Sequence, residues 1–247
     1  MNETAKNYED RVKNGDFKKY LHGNGIDIGG GADCLVLPSD IEGTVELFDF
    51  NDGDAQYMRK YKDCSFDFVY SSHCLEHMRN LEVAFTNWIR ICTLGGYIYT
   101  CVPHETYYEK GIWPSINNLD HKHSFTISSA TTMPANVVIT DFLKKFESYI
   151  DIIEIRENLK NYDFSMNSSI DQTANTEKAV CAQIDFIVRK RNDLNLTLSW
   201  RIKNELRCIA DHIIYIFPLK VFNHMPINLQ NRLKEIVRSR NKKRQKG

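Results

Sequence analysis

The segment Ile26-Asp27-Ile28-Gly29-Gly30-Gly31-Ala32-Asp33 restricts the possible folds more than any other part of the chain. It closes a short apolar run with an acid and three glycines, then opens into Cys34-Leu35-Val36-Leu37. A second apolar run, Val45-Glu46-Leu47-Phe48, ends at Asp49. An acid at one strand tip, a glycine turn, and an acid at the next strand tip describe a nucleoside-binding crevice at the carboxyl edge of a parallel sheet.

The type of nucleoside follows from charge. A dinucleotide fingerprint needs G-x-G-x-x-G. Gly29 and Gly31 supply the first two glycines, but Cys34 takes the third place. Asp27 would repel a pyrophosphate and attract a cationic amino-acid group. S-adenosylmethionine has that chemistry: an ammonium, a sulfonium, a ribose diol and an adenine. Asp49 can accept hydrogen bonds from both ribose hydroxyls, since an ionised carboxylate only accepts. A bare glycine turn would leave Asp27 at a strand end beside the core without a partner, which is costly.

The chain has 247 residues. That is enough for one large α/β domain, expected over residues 1–190, and a helical extension with a basic tail, residues 191–247. Formal net charge is zero, so nothing draws the chain as a whole toward nucleic acid. Between Arg232 and Gly247 there are eight Lys or Arg and one acid, Glu235. Such a tail is either a solvated terminus or a peripheral contact with an anionic membrane surface. Seven cysteines without a C-x-x-C pair argue against structural zinc and a disulfide framework, and for a reducing cytoplasm. The first residues resemble no signal peptide. The longest apolar run, Ile213 to Phe217, is too short to span a bilayer.

Periodicity gives the elements. Helices are expected at 5–21, between Gly31 and Pro38, at 54–61, from Leu75 to Gly95-Gly96, at 139–147 and beyond 191. Strands are expected at 24–28, 45–49, 66–70, 97–102, 149–155 and 180–188, with a very short strand before residue 66. Residues 104–132 and 158–179 read as long loops. Alternating strands and helices imply a mostly parallel sheet. Asp27, Asp49, Ser71, Ser72, His73 and His104 fall at its carboxyl ends.

IDIGGGAD, LFDFNDGDA, SFDFVYSSHCLEHM and LGGYIYTCVP together resemble class I S-adenosylmethionine-dependent methyltransferases of the type 11 kind, over about residues 20–190. The resemblance implies a Rossmann-like, seven-stranded, mostly parallel sheet with an antiparallel last strand and helices on both faces. It implies Gly29, Gly30 and Gly31 near the methionine moiety, Asp49 and Phe50 near the ribose, Asp54 and Ala55 beside the adenine, and Ser71, Ser72 and His73 below the sulfonium. Asp33 stands where many relatives carry another glycine.

The segment from Tyr107 to Thr126 resembles an acceptor loop of bacterial surface-polysaccharide methyltransferases. That resemblance implies O-methylation of a sugar or nucleotide-sugar hydroxyl during capsule or O-antigen synthesis, with S-adenosyl-L-homocysteine as by-product. A hydroxyl needs a base, and histidine suits neutral pH. His121 is the first candidate, with Asp120 orienting it; His123 and His104 follow. Tyr107, Tyr108 and Trp113 could stack on the acceptor and Lys122 could contact it. A divalent metal is an alternative, since Asp120, His121, His123 and His104 offer oxygen and nitrogen ligands, but no H-E-x-x-H or carboxylate cluster is visible and no metal is expected. Glu76 and His77 read as a helix start. Other readings are N- or C-methylation of a small metabolite or lipid head group, a non-catalytic cofactor-binding partner, and scaffolding or homo-oligomerisation through the tail.

Overall fold

The computed structural model describes residues 2–127, 129, 131, 133–166, 170–175, 177–192 and 198–216. The chain divides into two units, Met1–Thr197 and Leu198–Gly247. The first contains helices α1 (Glu3–Lys6), α2 (Tyr8–Asn14) and α3 (Asp16–Lys19), then strands β1 (Gly23–Ile28), β2 (Gly43–Phe48) and β3 (Phe66–Ser72). Helix α4 (Leu81–Ile91), strands β4 (Cys92–Pro103), β5 (Ser124–Thr126) and β6 (Asn136–Val138), helix α5 (Ile139–Lys144), and strands β7 (Ile150–Asn158) and β8 (Gln183–Lys190) follow. The second unit is described over α6 (Leu198–Ile216). The basic run 232–247 lies outside the described residues. Among the described residues, no helix is long and apolar enough to cross a membrane.

The main sheet has the order β2-β1-β3-β4-β8-β7. Its first four strands are parallel, and β8 runs antiparallel to both neighbours. The mostly parallel, Rossmann-like α/β layout and the antiparallel last strand match the expectation; the count of seven does not, since this sheet has six strands. The missing strand would lie between β2 and β3. There the Tyr57 and Met58 amides donate to Asp54 O, and Tyr61 N donates to Met58 O. The Arg90 guanidinium, projecting from α4, gathers the carbonyls of Met58 and Tyr61, each at 2.8 Å. Those carbonyls are used in turns, so residues 54–61 form neither the expected helix nor a ladder strand.

Other expected helices also shorten. Residues 5–21 are three short helices because Gly15 takes φ +74°, a left-handed conformation that closes α2 and opens α3. After Gly31–Asp33 the chain turns extended at Cys34 instead of continuing to Pro38 as a helix. The Leu35 amide donates to Asp27 Oδ2 at 2.7 Å and fixes this path. The helix expected from Leu75 is cut: Leu75–His77 is one tight turn, and α4 starts only after Asn80, whose side chain accepts from Val83 N. Gly95 and Gly96 lie inside β4 rather than ending a helix. The small parallel pair β5–β6 was not expected from the sequence.

Alternation along the strands gives the sheet two apolar faces. On one, Phe17, Leu21 and Leu35 pack on Phe68, Tyr70, Tyr99 and Ile187. The buried Arg11 guanidinium lies 5.1 Å from the Tyr70 ring and 5.5 Å from the Tyr99 ring. On the other face, Phe85 and Trp88 of α4 and Phe142 of α5 cover Ile98, Val102, Ile184 and Phe186.

Candidate active site

At the tip of β1, Asp27 is wholly buried. Oδ2 accepts from Leu35 N, while Oδ1 is buried with no hydrogen-bond partner. Burial pushes its carboxyl up to about 7. Gly29 has φ +82°, and a Cβ there would come within 2.7 Å of Cys74 Sγ. A Cβ on Gly30 would fall on Asp27 Oδ2. Glycine is required here by space as well as by backbone conformation. Asp49 follows β2 and caps a short turn: it accepts from the Asp52 amide, and Asp52 Oδ2 accepts from Asp49 N at 3.0 Å. A Cβ on Gly31 would lie 3.5 Å from Asp49 Oδ2, so the glycine turn and the second acid adjoin.

A cavity of about 580 Å³ runs from Gly29, Asp49, Phe50, Asp54 and Ala55 to His73, Cys74, His77 and Asp120. The Phe50 ring is 90 % exposed at its rim. Asp54 is bound to Arg79 Nη2 at 2.8 Å, and the Ala55 carbonyl accepts from Trp88 Nε1. Ser71 is buried and donates to Ile28 O, tying β3 to β1 under the cavity. Ser72 is buried beside it. His73 has φ +54°, and its Nε2 lies 3.2 Å from Gln183 Oε1. Burial lowers the His73 pKa. Of the residues expected around a cofactor, Gly29, Asp49, Phe50, Asp54, Ala55 and His73 line this cavity, whereas Asp27, Gly30, Gly31, Ser71 and Ser72 are not among its lining residues.

The far end of the cavity departs from the expected acid–base set. Asp120 does not orient His121: its Oδ2 accepts from His77 Nδ1 at 2.9 Å. His121 is instead held by Glu109, whose Oε1 accepts from His121 Nδ1 at 2.6 Å. The two imidazoles meet edge to face, with centroids 4.9 Å apart. Glu76 faces both, its Oε1 3.9 Å from His77 Nε2 and 3.8 Å from His121 Nε2; it is 0 % exposed, with neither carboxylate oxygen hydrogen-bonded. Burial pushes its carboxyl well above the usual range, and Glu109 adds to the shift. Burial and the nearby His121 lower the His77 pKa. Hydrogen bonding to Lys122 holds Asp120 below its usual range, and His77 acts in the same direction. The backbone joins the two segments through Lys122 N to Glu76 O, 2.9 Å.

Glu76, His77 and Glu109 are the groups that sequence reasoning passed over. The signal was present in the run His73-x-x-Glu76-His77 directly after β3. Reading Leu75 onward as a regular helix hid it, because that gave Glu76 the role of an acid at a helix start. Glu109 had no signal beyond its membership of the acceptor loop.

The remaining candidates lie apart from this cluster. His104 Nε2 faces Glu157 Oε1 at 3.2 Å, and its Nδ1 accepts from Thr106 N. His123 Nε2 bonds Met78 O at 2.9 Å. Both histidines secure loops. Tyr108 is buried and stacks on His121, so it is no acceptor platform. Tyr107 packs on Tyr162 and Phe164. Trp113 is half-buried before Pro114, and the Lys122 ammonium is bound to Asp120.

Residues 36–100 match a family model described as a methyltransferase domain. The match begins after the glycine turn, includes Asp49 and ends at Thr100 within β4. Among solved structures, a Galdieria sulphuraria protein provisionally named a sarcosine dimethylglycine methyltransferase aligns at 12% identity and TM-score 0.49, over 75% of this chain and 85% of its own. A Methanosarcina mazei S-adenosylmethionine-dependent methyltransferase aligns at 12% and 0.45, over 71% and 97%. No curated protein matches the chain. The orphan oxygen of Asp27, the glycines with no room for a Cβ and the adjoining Asp49 suit a ligand with an ammonium and a ribose diol. The matched stretch is a methyltransferase domain, and its cofactor is S-adenosylmethionine.

Proposed function

We propose that this protein is an O-methyltransferase that moves the methyl group of S-adenosylmethionine to a hydroxyl of a sugar or nucleotide sugar. The observation that carries the reading is one cavity with two chemically different ends: Gly29 and Asp49 at one, His77 with Asp120 at the other. Bound there, the cofactor would supply a methyl group activated by a sulfonium for in-line displacement. Asp27 Oδ1 would receive the ammonium, Asp49 the ribose hydroxyls, and the Phe50 ring a face of the adenosyl group. Holding the reacting atoms in line can contribute up to about 7–11 kcal/mol.

At the other end, His77 takes the place first given to His121. It lines the cavity, its Nδ1 is held by Asp120, and its pKa is lowered. The imidazole is therefore neutral at pH 7 with Nε2 free of its proton. His121 stands behind, buried between Tyr108 and Glu109. An alcohol needs this assistance, whereas an amine acceptor can lose its proton to solvent. The sugar assignment rests on the acceptor-loop resemblance. Seven cysteines, none in a disulfide, support a reducing cytoplasm as the compartment.

The test incubates purified protein with labelled S-adenosylmethionine and a panel of nucleotide sugars. Transfer to a sugar hydroxyl is expected, and His77→Ala should slow it by about 10²–10⁴-fold with cofactor affinity retained. Transfer to amines alone, unaffected by His77→Ala, would support N-methylation instead. Cofactor binding without transfer to any acceptor would mark a non-catalytic partner.

A further inference from the structure

We propose that Glu76, His77 and His121 form a binding site for one divalent transition-metal ion of the zinc and ferrous class, at the acceptor end of the cavity. Their donor atoms lie within 4.8 Å of one another. His77 Nε2 is 3.9 Å and His121 Nε2 3.8 Å from the same oxygen, Glu76 Oε1. Three ligands held at about 2.0–2.2 Å around a tetrahedral cation stand about 3.3–3.6 Å apart, so the two Glu76–histidine distances need to contract by only a few tenths of an ångström. His73 Nδ1, 3.7 Å from that oxygen, offers a further nitrogen.

Two independent features point to a cation. Glu76 is 0 % exposed and accepts no hydrogen bond at either oxygen. A buried carboxyl without a partner is costly, and a divalent ion offsets that cost. The second feature is the orientation of both imidazoles. His77 Nδ1 donates to Asp120 Oδ2 at 2.9 Å and His121 Nδ1 to Glu109 Oε1 at 2.6 Å. Each carboxylate fixes the tautomer that leaves Nε2 as a lone pair facing Glu76. This carboxylate–histidine arrangement is how proteins orient imidazole ligands to a metal. Two imidazoles and one carboxylate suit zinc, ferrous or manganous ions better than magnesium or calcium, which favour oxygen-only sites. Sequence spacing conceals the set, since Glu76 and His77 are adjacent and His121 lies on a distant loop. With an ion bound, His77 Nε2 would be a ligand and not the proton acceptor, and the ion would instead lower the pKa of an acceptor hydroxyl; that catalytic role rests on the methyl-transfer reading, whereas the binding site does not.

The full chain is stripped with chelator and titrated with Co²⁺ and Zn²⁺, following visible absorption and heat. One ion per chain is expected, with the visible absorption of nitrogen-bound Co²⁺ and displacement by Zn²⁺. Glu76→Gln and His121→Gln should each weaken binding by at least about 100-fold, and Asp120→Asn by about 10–100-fold. His104→Gln should leave it unchanged. Asp120 is largely exposed, so its variant tests the site even if the buried variants fail to fold. No binding, or binding unchanged in Glu76→Gln and Asp120→Asn, overturns the proposal. S-adenosylmethionine is titrated into the same samples. Cofactor binding without metal binding removes the metal site alone; metal binding without cofactor binding removes the methyl-transfer reading alone.

Discussion

Asp27 has a folded-state pKa of about 7, raised chiefly by burial, against about 3.9 in an unfolded chain. The folded protein therefore holds the extra proton between these values. The sign is the reverse of the usual salt-bridged aspartate: stability falls as pH rises from about 4 to about 7, by an order of 4 kcal/mol in total. Glu76 acts in the same direction, so the variant must be compared with wild type at each pH. Asp27→Asn should melt at a higher temperature than wild type at pH 8, with the gap fading as pH falls toward 4; differential scanning calorimetry measures this. The same variant should bind S-adenosylmethionine at least ~10-fold more weakly at pH 8, because hydrogen bonds to charged groups are worth about 1.5–3 kcal/mol. Wild-type affinity should rise from pH 6 to pH 8 as the carboxyl ionises. The positions of Asp27 and Asp49 at strand tips could be read from the sequence because each acid ends an apolar run. The histidine partners could not: spacing suggested Asp120 for its neighbour His121, whereas the fold turns Asp120 to His77 and gives His121 to Glu109.

The glycine turn and the start of α4 are the two elements that shape the cavity. Gly30→Ala would drive a methyl into Asp27 Oδ2; cofactor affinity should fall at least ~10-fold while far-UV circular dichroism stays native. Asn80→Ala removes the cap of α4 and should cost about 1 kcal/mol in urea unfolding. The cavity wall at Met78 and Arg79 lies just before that cap. Strands β1, β2, β3 and β8 were legible from apolar runs bounded by glycine, acids or proline. Three features were not. Arg90 diverts the carbonyls after Asp54 into turns, the Asp27–Leu35 bond straightens the chain after Gly31, and Asn80 restarts the helix at Leu81. In the first case a side chain from a distant element, and in the other two a nearby side chain bonding to a backbone amide, overrides the apolar periodicity.

In the unit Met1–Thr197, the layers packed on both sheet faces bring two chemistries into one cavity, and that union underlies the functional reading. It predicts separable effects: changes at Asp27, Gly30 or Asp49 act on cofactor affinity, whereas His77→Ala acts on turnover. Metal stripping should follow the second pattern. Isothermal titration of the purified full chain with S-adenosylmethionine, and with its demethylated thioether product, decides whether the glycine-turn end is a cofactor site. One site per chain for both ligands, weakened at least ~10-fold in Asp27→Asn and Asp49→Ala, is the predicted result. No heat with either ligand from folded protein, or affinity equal in wild type and both variants, would contradict it.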